Sequence, residues 1–463
     1  MSEKKLFSNH DLWLLIWPLL VEQLLQITLG MADIVMVASL GEASVSGVSL
    51  VDSINVLLTQ IFAALATGGA VVCSQYIGSG KYDMADKTAK QLLYTITAVS
   101  VFIMIAGLAF YKPLLRIIFG NIEEDVIDAS RKYFLITLFA LPGIAIYNAA
   151  AALFRAQGNS KVSMLIALLV NILNIGGNAL LVYGFKFGVE GVAIPTLISR
   201  TVAAVVLLLC LYFSKDYNGR RAVSIKGIRH VEVEWHLVKK ILKIGVPNGL
   251  ENSTFQIGKI LVLSLIATYG TNAIAANAAG NTLASFEVLP GSSISLALLT
   301  VVGQCMGAAK PEQASYYTKK LLSFAYIGMW VLNIPLLLFS YKIISWYGMS
   351  EETTRLAWYM TLTHGLCGML IWPISFTLPN ALRASNDAAF TMIISMLSMW
   401  LVRVGVSYVF KWTDIFGLVE KFNWPSSFGS LGVWFAMIID WVVRSSFFIA
   451  RFAGGKWKTR ALI

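Results

Sequence analysis

Twelve stretches of predominantly apolar residues run along the chain. They cover roughly 12–38, 46–77, 88–110, 127–154, 162–185, 189–214, 241–268, 272–306, 317–341, 356–382, 388–410 and 430–450. A helix needs roughly 20 such residues to cross a bilayer, so each stretch predicts a membrane-spanning helix. Several are longer than a perpendicular helix requires and predict tilting or kinking, with Pro18, Pro142, Pro247, Pro290 and Pro373 as the candidate kinks.

Composition agrees with lipid as the solvent. Of the 463 residues, 57% are hydrophobic and 13% charged, against about 25% charged in soluble domains. The spans leave no room for a separate soluble domain. The first apolar stretch, from Leu12, is too long for a cleavable leader and lacks a small-residue cleavage site. Cys73, Cys210, Cys305 and Cys367 all fall inside spans without CxxC spacing, which predicts inert thiols.

The net charge of +11 invites a nucleic-acid reading, but its distribution argues for a membrane one. Counted by alternate loops, 23 Lys and Arg fall on one side of the spans and 9 on the other. By the positive-inside rule both termini and the basic linker, which includes Lys215, Arg220 and Arg221, are cytoplasmic. The predicted organisation is a six-helix lobe over 1–214, a linker over 215–240 and a second six-helix lobe over 241–463.

The second half repeats the first. At an offset of 229, Pro18 falls on Pro247, Glu22 on Glu251, Gln75 on Gln304, Gly78 on Gly307 and Lys81 on Lys310. Later the offset drifts to 228, where Leu153-Phe154-Arg155-Ala156 answers Ala381-Leu382-Arg383-Ala384. Six spans per copy give both copies the same topology, hence a parallel repeat about an axis along the membrane normal. The predicted fold is an all-α membrane protein of twelve helices in two pseudo-symmetric bundles around a central cleft, a common transporter plan.

Particular segments carry a family likeness. Pro18 followed by GMADIVMVASLG, then SQYIGSGKYDMA, LFRAQGNSK and GVEGVAIPTLISR, resemble the multidrug and toxic compound extrusion (MATE) family, as do IGVPNGLE, VVGQCMGAAKPEQA and LPNALRASND. The likeness covers essentially the whole chain and points to the DinF-like branch. It implies a plasma-membrane antiporter that expels organic, often cationic, compounds against inward Na⁺ or H⁺ flow, with no cofactor beyond the coupling ion.

Asp33 leads the candidate residues. A carboxylate inside a span costs roughly 2.5–3.5 kcal/mol on insertion scales, so it faces the bundle interior and marks an ion path. Glu22, Gln26, Gly30 and Asp33 recur at helical spacing along one stripe. Asn174 and Asn178, one turn apart, offer carboxamide oxygens on one face, which suits a hard cation such as Na⁺. The resemblance implies an Asn-x-x-x-Asp cation motif there; Asn174 matches it and Asn178 replaces the acid, removing one formal charge. Thr196 and Tyr133 match further positions of that polar cluster. The bland alternative for all of them is interhelical hydrogen-bond glue, worth about 0.6 kcal/mol per bond.

The second half offers a candidate substrate cleft or second polar site: Glu251, Gln256, Lys259, Asn277, Asn281, Glu287 and Trp372, with Glu22 and Gln26 in the first half. Glu251 could instead pair structurally with Lys259. Glu287 precedes Leu289-Pro290-Gly291, a predicted break. The family's C-lobe proton site is not matched, because Phe255 or Gln256 and Trp372 stand at its acidic stations. Asp440 and Arg444, one turn apart, predict a structural ion pair that also meets Arg403. His364 receives no role. Val262, Val402 and Val406 stand where Asp33, Asn174 and Asn178 have their repeat counterparts, so the ion site belongs to the first copy alone.

Two other functions compete. A flippase for lipid-linked sugars shares this layout but needs a basic cleft, which only Arg200, Lys259, Arg403 and Arg444 could supply. An intramembrane transferase needs acidic or Ser/His motifs, which four isolated histidines do not provide. GSGK at 78–81 lacks the flanking Gly and Ser/Thr of a P-loop, so no ATP site is expected. The expected partners are the bilayer and small organic molecules, without nucleic acid, for a monomer.

Overall fold

A computed structural model describes residues 5–119, 123–214, 216 and 221–460. Lys4, Lys215 and Arg220, counted above among the cytoplasmic charges, lie outside them. Among the described residues the regular structure is all helical. The first copy forms α1 (Asn9–Ala38), α2 (Glu42–Gly78), α3 (Tyr82–Phe119), α4 (Glu124–Ala156), α5 (Ser160–Ala179) and α6 (Glu190–Tyr212). The second opens with α7 (Trp235–Ala267), α8 (Thr271–Glu287), α9 (Leu289–Gly307), α10 (Pro311–Ser345) and α11 (Glu351–Trp372). It closes with α12 (Leu378–Ala384), α13 (Ala388–Leu397), α14 (Gly405–Trp412), a short α15 (Asp414–Lys421) and α16 (Leu431–Ala453).

Among the described residues, eleven helical stretches are long and apolar enough to cross a membrane. The predicted seventh span is not among them: α7 runs for 33 residues, but Asn252, Ser253, Thr254 and Gln256 together with Glu251 and Lys259 lower the apolar character of its membrane stretch. The eighth span is α8 and α9, interrupted only at Val288, directly before Pro290 as predicted. Pro373 opens a π-helical turn, Pro373–Thr377, whereas Pro18, Pro142 and Pro247 sit inside α1, α4 and α7. Further π-helical turns occupy Leu180–Gly184 after α5 and Ser398–Val404 before α14, the fifth span of each copy.

The contacts divide the chain into two compact units. The first takes the chain up to Gly249 together with Gly303–Ala309; the second takes Leu250–Val302 and the described chain from Lys310 onward. In the first unit α2 packs along α4, α4 along α6 and α1 along α5. Lipid tails give helices no hydrophobic reason to associate, so small residues and short polar bonds decide which surfaces meet. A Cβ on Gly47 would come within 2.9 Å of Ala129, and the Ser130 hydroxyl donates to the Gly47 carbonyl at 3.2 Å. At the end of α2, a Cβ on Gly78 would collide with the Gln304 carbonyl, and one on Gly307 would collide with that of Gln75. The reciprocal glycines are repeat counterparts.

The described part of the linker is docked on the first unit. Arg221 reaches Asp83 and Asp86 at 3.0 and 3.1 Å, the Ser224 amide donates to Asp86 at 2.7 Å, and Val223 and Ile225 are buried. In the second unit Arg451 and Arg460 both reach the buried carboxylate of Asp387 at 2.7 Å, which fixes the C-terminal segment.

Candidate functional site

The first half of α1 is clamped. Pro18 has no N–H for the carbonyl of Leu14, and the Ser160 hydroxyl reaches into that gap, donating to Leu15 O at 2.7 Å and to Leu14 O at 3.5 Å. One turn on, buried Glu22 accepts from Arg155 of α4 and from Ser163 of α5, both at 2.7 Å. The second copy repeats the ion pair: Glu251 accepts from Arg383 at 2.7 Å. Both glutamates are therefore partnered by the arginine of the repeated Arg-Ala pair, Arg155-Ala156 and Arg383-Ala384. The alternative pairing of Glu251 with Lys259 is not formed.

The second half of α1 is held differently. Asn178, fully buried on α5, donates from Nδ2 to Asp33 Oδ1 at 2.6 Å and to Asn174 Oδ1 at 3.1 Å. Asn174 donates in turn to the Thr196 hydroxyl at 2.9 Å, and Thr196 donates to Val192 O on its own helix. Four side chains from α1, α5 and α6 thus form one polar chain. It leaves Asn178 Oδ1 buried without a partner. Tyr133 is not a member: its hydroxyl donates to Asp52 Oδ1 at 3.1 Å, forming a second polar pair between α4 and α2. Gln26, on the predicted stripe, is exposed and makes no hydrogen bond among the described residues.

The profile of the MatE family matches residues 18–180 and again 247–409, the same span displaced by 229. The chain belongs to the MATE family of transporters. It is 26% identical over 452 residues to a probable multidrug resistance protein NorM of Thermotoga maritima, covering 96% of this chain and 92% of that one. An uncharacterised transporter, YisQ, of Bacillus subtilis is 28% identical over 461 residues, covering 97% and 95%. The two-lobe fold is shared with an outward-facing multidrug resistance MATE family transporter of the MOP superfamily, at TM-score 0.86, 19% identity and 96% coverage of both chains. A MATE crystallised with MaL6 gives TM-score 0.85 at 20% identity, again covering 96% of each chain. Membership makes the protein a transporter and not an enzyme.

In the second copy of this MATE transporter the polar groups are arranged otherwise than predicted. Asp440 and Arg444 form the expected buried pair, with Nη2 and Nε at 2.9 and 3.1 Å from the two carboxylate oxygens, and Ser398 donates to the same carboxylate. Arg403 does not join it. Its guanidinium lies over the Phe255 ring, and its Nε is buried without a hydrogen bond. Asp440 is bonded instead to Arg444 and Ser398.

Glu287 is fully buried against His364 Nδ1, and the His364 ring packs edge-on to Trp434 and Trp441 at 5.8 and 5.0 Å. Glu287 is therefore a core pair and does not line an open cleft. Trp372 is likewise buried, stacked on Phe376 at 5.1 Å. Asn277 accepts from Trp434 Nε1 at 3.2 Å, and Asn281 donates to the Asn277 carbonyl at 2.8 Å. Gln256 is half-buried and makes no hydrogen bond among the described residues.

Sequence reasoning passed over Asp52 and His364. Asp52 is a carboxylate inside a span, the same signal that singled out Asp33. His364 receives no role from the sequence because no signal in it pairs a histidine with a glutamate 77 positions away.

Proposed function

We propose that this MATE transporter exports small organic molecules across the plasma membrane in exchange for inward Na⁺ or H⁺, with Asp33 as the coupling residue. The polar chain Asp33–Asn178–Asn174–Thr196 carries the reading. Its oxygens fit a hard monovalent cation: the half-buried Asp33 carboxylate and Thr196 hydroxyl with two buried carboxamide oxygens, of which Asn178 Oδ1 lacks a partner. Among the described residues no group of three His, Cys, Asp or Glu could hold a metal ion, so a transition metal is not the fit. Asp33, Asn174, Asn178 and Thr196 would hold Na⁺, which when bound supplies a positive charge to Asp33, as a proton would by covalent attachment.

The remaining steps belong to the chain. A charged Asp33 holds Asn178 in a charge-assisted bond, roughly twice as strong as a neutral one, and so ties the second half of α1 to α5. Neutralising Asp33 weakens that tie. The first half of α1 stays clamped through Glu22 and Ser160, so the loosened half moves about the Pro18–Glu22 segment. Alternating access then follows from the displacement of one helix half, with both termini cytoplasmic and the monomer as the working unit.

The test is efflux of a fluorescent organic compound from proteoliposomes under separately imposed Na⁺ and proton gradients. One gradient should accelerate efflux and be dissipated by it. Efflux indifferent to both contradicts the proposal.

A further inference from the structure

Three cationic side chains of the second unit surround one aromatic ring. Lys259 Nζ, Arg403 Cζ and Arg444 Cζ lie 5.3, 5.4 and 5.3 Å from the centroid of Phe255. One carboxylate, Asp440, lies in this group, and its hydrogen bonds go to Arg444 and Ser398 and not to Lys259 or Arg403. Glu251, two turns before Lys259 on α7, is committed to Arg383. Lys259 and Arg403 therefore have no ion pair among the described residues.

Both line a cavity of about 350 Å³ together with Asn277, Asn281, Ser285 and Trp434, and no carboxylate is in its lining. Val262, Leu263, Ile266 and Met437 complete an apolar wall. Asn277 has its carbonyl oxygen engaged by Trp434, so its amide N–H₂ remains as a donor without a hydrogen bond among the described residues. Arg403 is 8% exposed, and its buried Nε is unpartnered. It sits in the π-helical turn Ser398–Val404, a local irregularity that recurs at functional sites.

The bland reading is that Phe255 alone compensates these charges. A cation–π contact is weaker than the cost of holding a charge inside a span, and here one ring faces both Lys259 and Arg403, Arg444 being paired with Asp440 and lying nearer Phe376 at 4.6 Å. Arg403 is buried without an ion pair, and Lys259 beside it adds a second unpaired cation; two such charges at one pocket call for an anion.

We propose that this pocket binds an anionic group, a carboxylate, sulfonate or phosphate, on an otherwise apolar molecule, so that the exported substrate is an amphiphilic organic anion. The cationic substrate implied by the family likeness is thereby replaced. The export role rests on the function proposed above; binding to the pocket does not.

The test compares two dyes that share a xanthene ring and differ in charge, fluorescein and rhodamine 6G, by anisotropy on the full chain in nanodiscs without any gradient. Ion coupling plays no part in this measurement, so its failure leaves the antiport reading untouched. Fluorescein is expected to bind more tightly than rhodamine 6G. Lys259→Gln, which keeps a polar side chain of similar length, should weaken fluorescein at least tenfold and leave rhodamine 6G unchanged or tighter. Arg403→Lys should retain part of the fluorescein affinity and Arg403→Met should lose it. Tighter binding of rhodamine 6G, or fluorescein affinity unmoved by Lys259→Gln, overturns the proposal. A short-chain phosphatidic acid is titrated in parallel. Lys259-dependent binding of that lipid without binding of fluorescein overturns the soluble organic anion and assigns the pocket to a lipid phosphate.

Discussion

Asn178 donates to Asp33 across 2.6 Å, and this bond joins the second half of α1 to α5. Where the family's cation motif places an acid, this chain uses an amide as a donor, so the single charge at the site belongs to Asp33.

That substitution can be reversed. Asn178→Asp adds a second carboxylate to the cluster and removes the N–H that Asp33 accepts. Na⁺ affinity, followed by calorimetry on the purified protein, should rise at least tenfold, equivalent to about 1.4 kcal/mol. Without Na⁺ the same variant should be less stable than the parent, because two buried carboxylates then repel.

Glu22 and Glu251 are braces, and their substitution should cost stability before it costs specificity. Removing one partner of a buried pair typically costs 3–5 kcal/mol because the other charge is stranded. Glu22→Gln should therefore lower the unfolding temperature in detergent sharply, and Glu22→Gln combined with Arg155→Met should recover much of the loss. Additive losses in the double variant would show that the pair is not the source.

The reciprocal glycines Gly78 and Gly307 should tolerate no side chain. Gly78→Ala and Gly307→Ala each drive a methyl against a backbone carbonyl, which cannot rotate away as a side chain does. Overpacking of this kind costs typically 1–3 kcal/mol. Both variants should show reduced yield of folded protein, while Gly30→Ala, with nothing within 4 Å, should behave as the parent.

Asp52 and Tyr133 form a second pair, and their separation from the Asp33 chain can be measured. Tyr133→Phe removes only the donor to Asp52. It should change the pH dependence of transport through Asp52 while leaving Na⁺ affinity within twofold of the parent. A tenfold loss of Na⁺ affinity would place Tyr133 inside the cation site instead.

Much of this architecture is legible in the chain because lipid makes it so. A hydrocarbon solvent demands long apolar helices, and duplication marks itself through prolines, glycines and in-span carboxylates at one offset. Asp33, Asn174, Asn178 and Thr196 could be grouped in advance because helical spacing and a polar residue in an apolar run are both local signals. Partner choice was not local. Arg383, 132 positions after Glu251, outcompetes Lys259, only two turns away, because the second copy folds like the first and brings the repeated arginine to the repeated glutamate. Arg403 escapes spacing for a related reason: spacing shows that Asp440 and Arg444 share a face, but not that the Arg403 guanidinium turns to the Phe255 ring instead.

The central claim, that Asp33 couples ion entry to export, is tested most directly by comparing Asp33→Asn with the parent in proteoliposomes. Two rates are read from the same vesicles: gradient-driven efflux, and substrate exchange at equal concentrations without any ion gradient. The account predicts that Asp33→Asn loses the gradient-driven component and retains exchange. Gradient-driven efflux at the parental rate would contradict it.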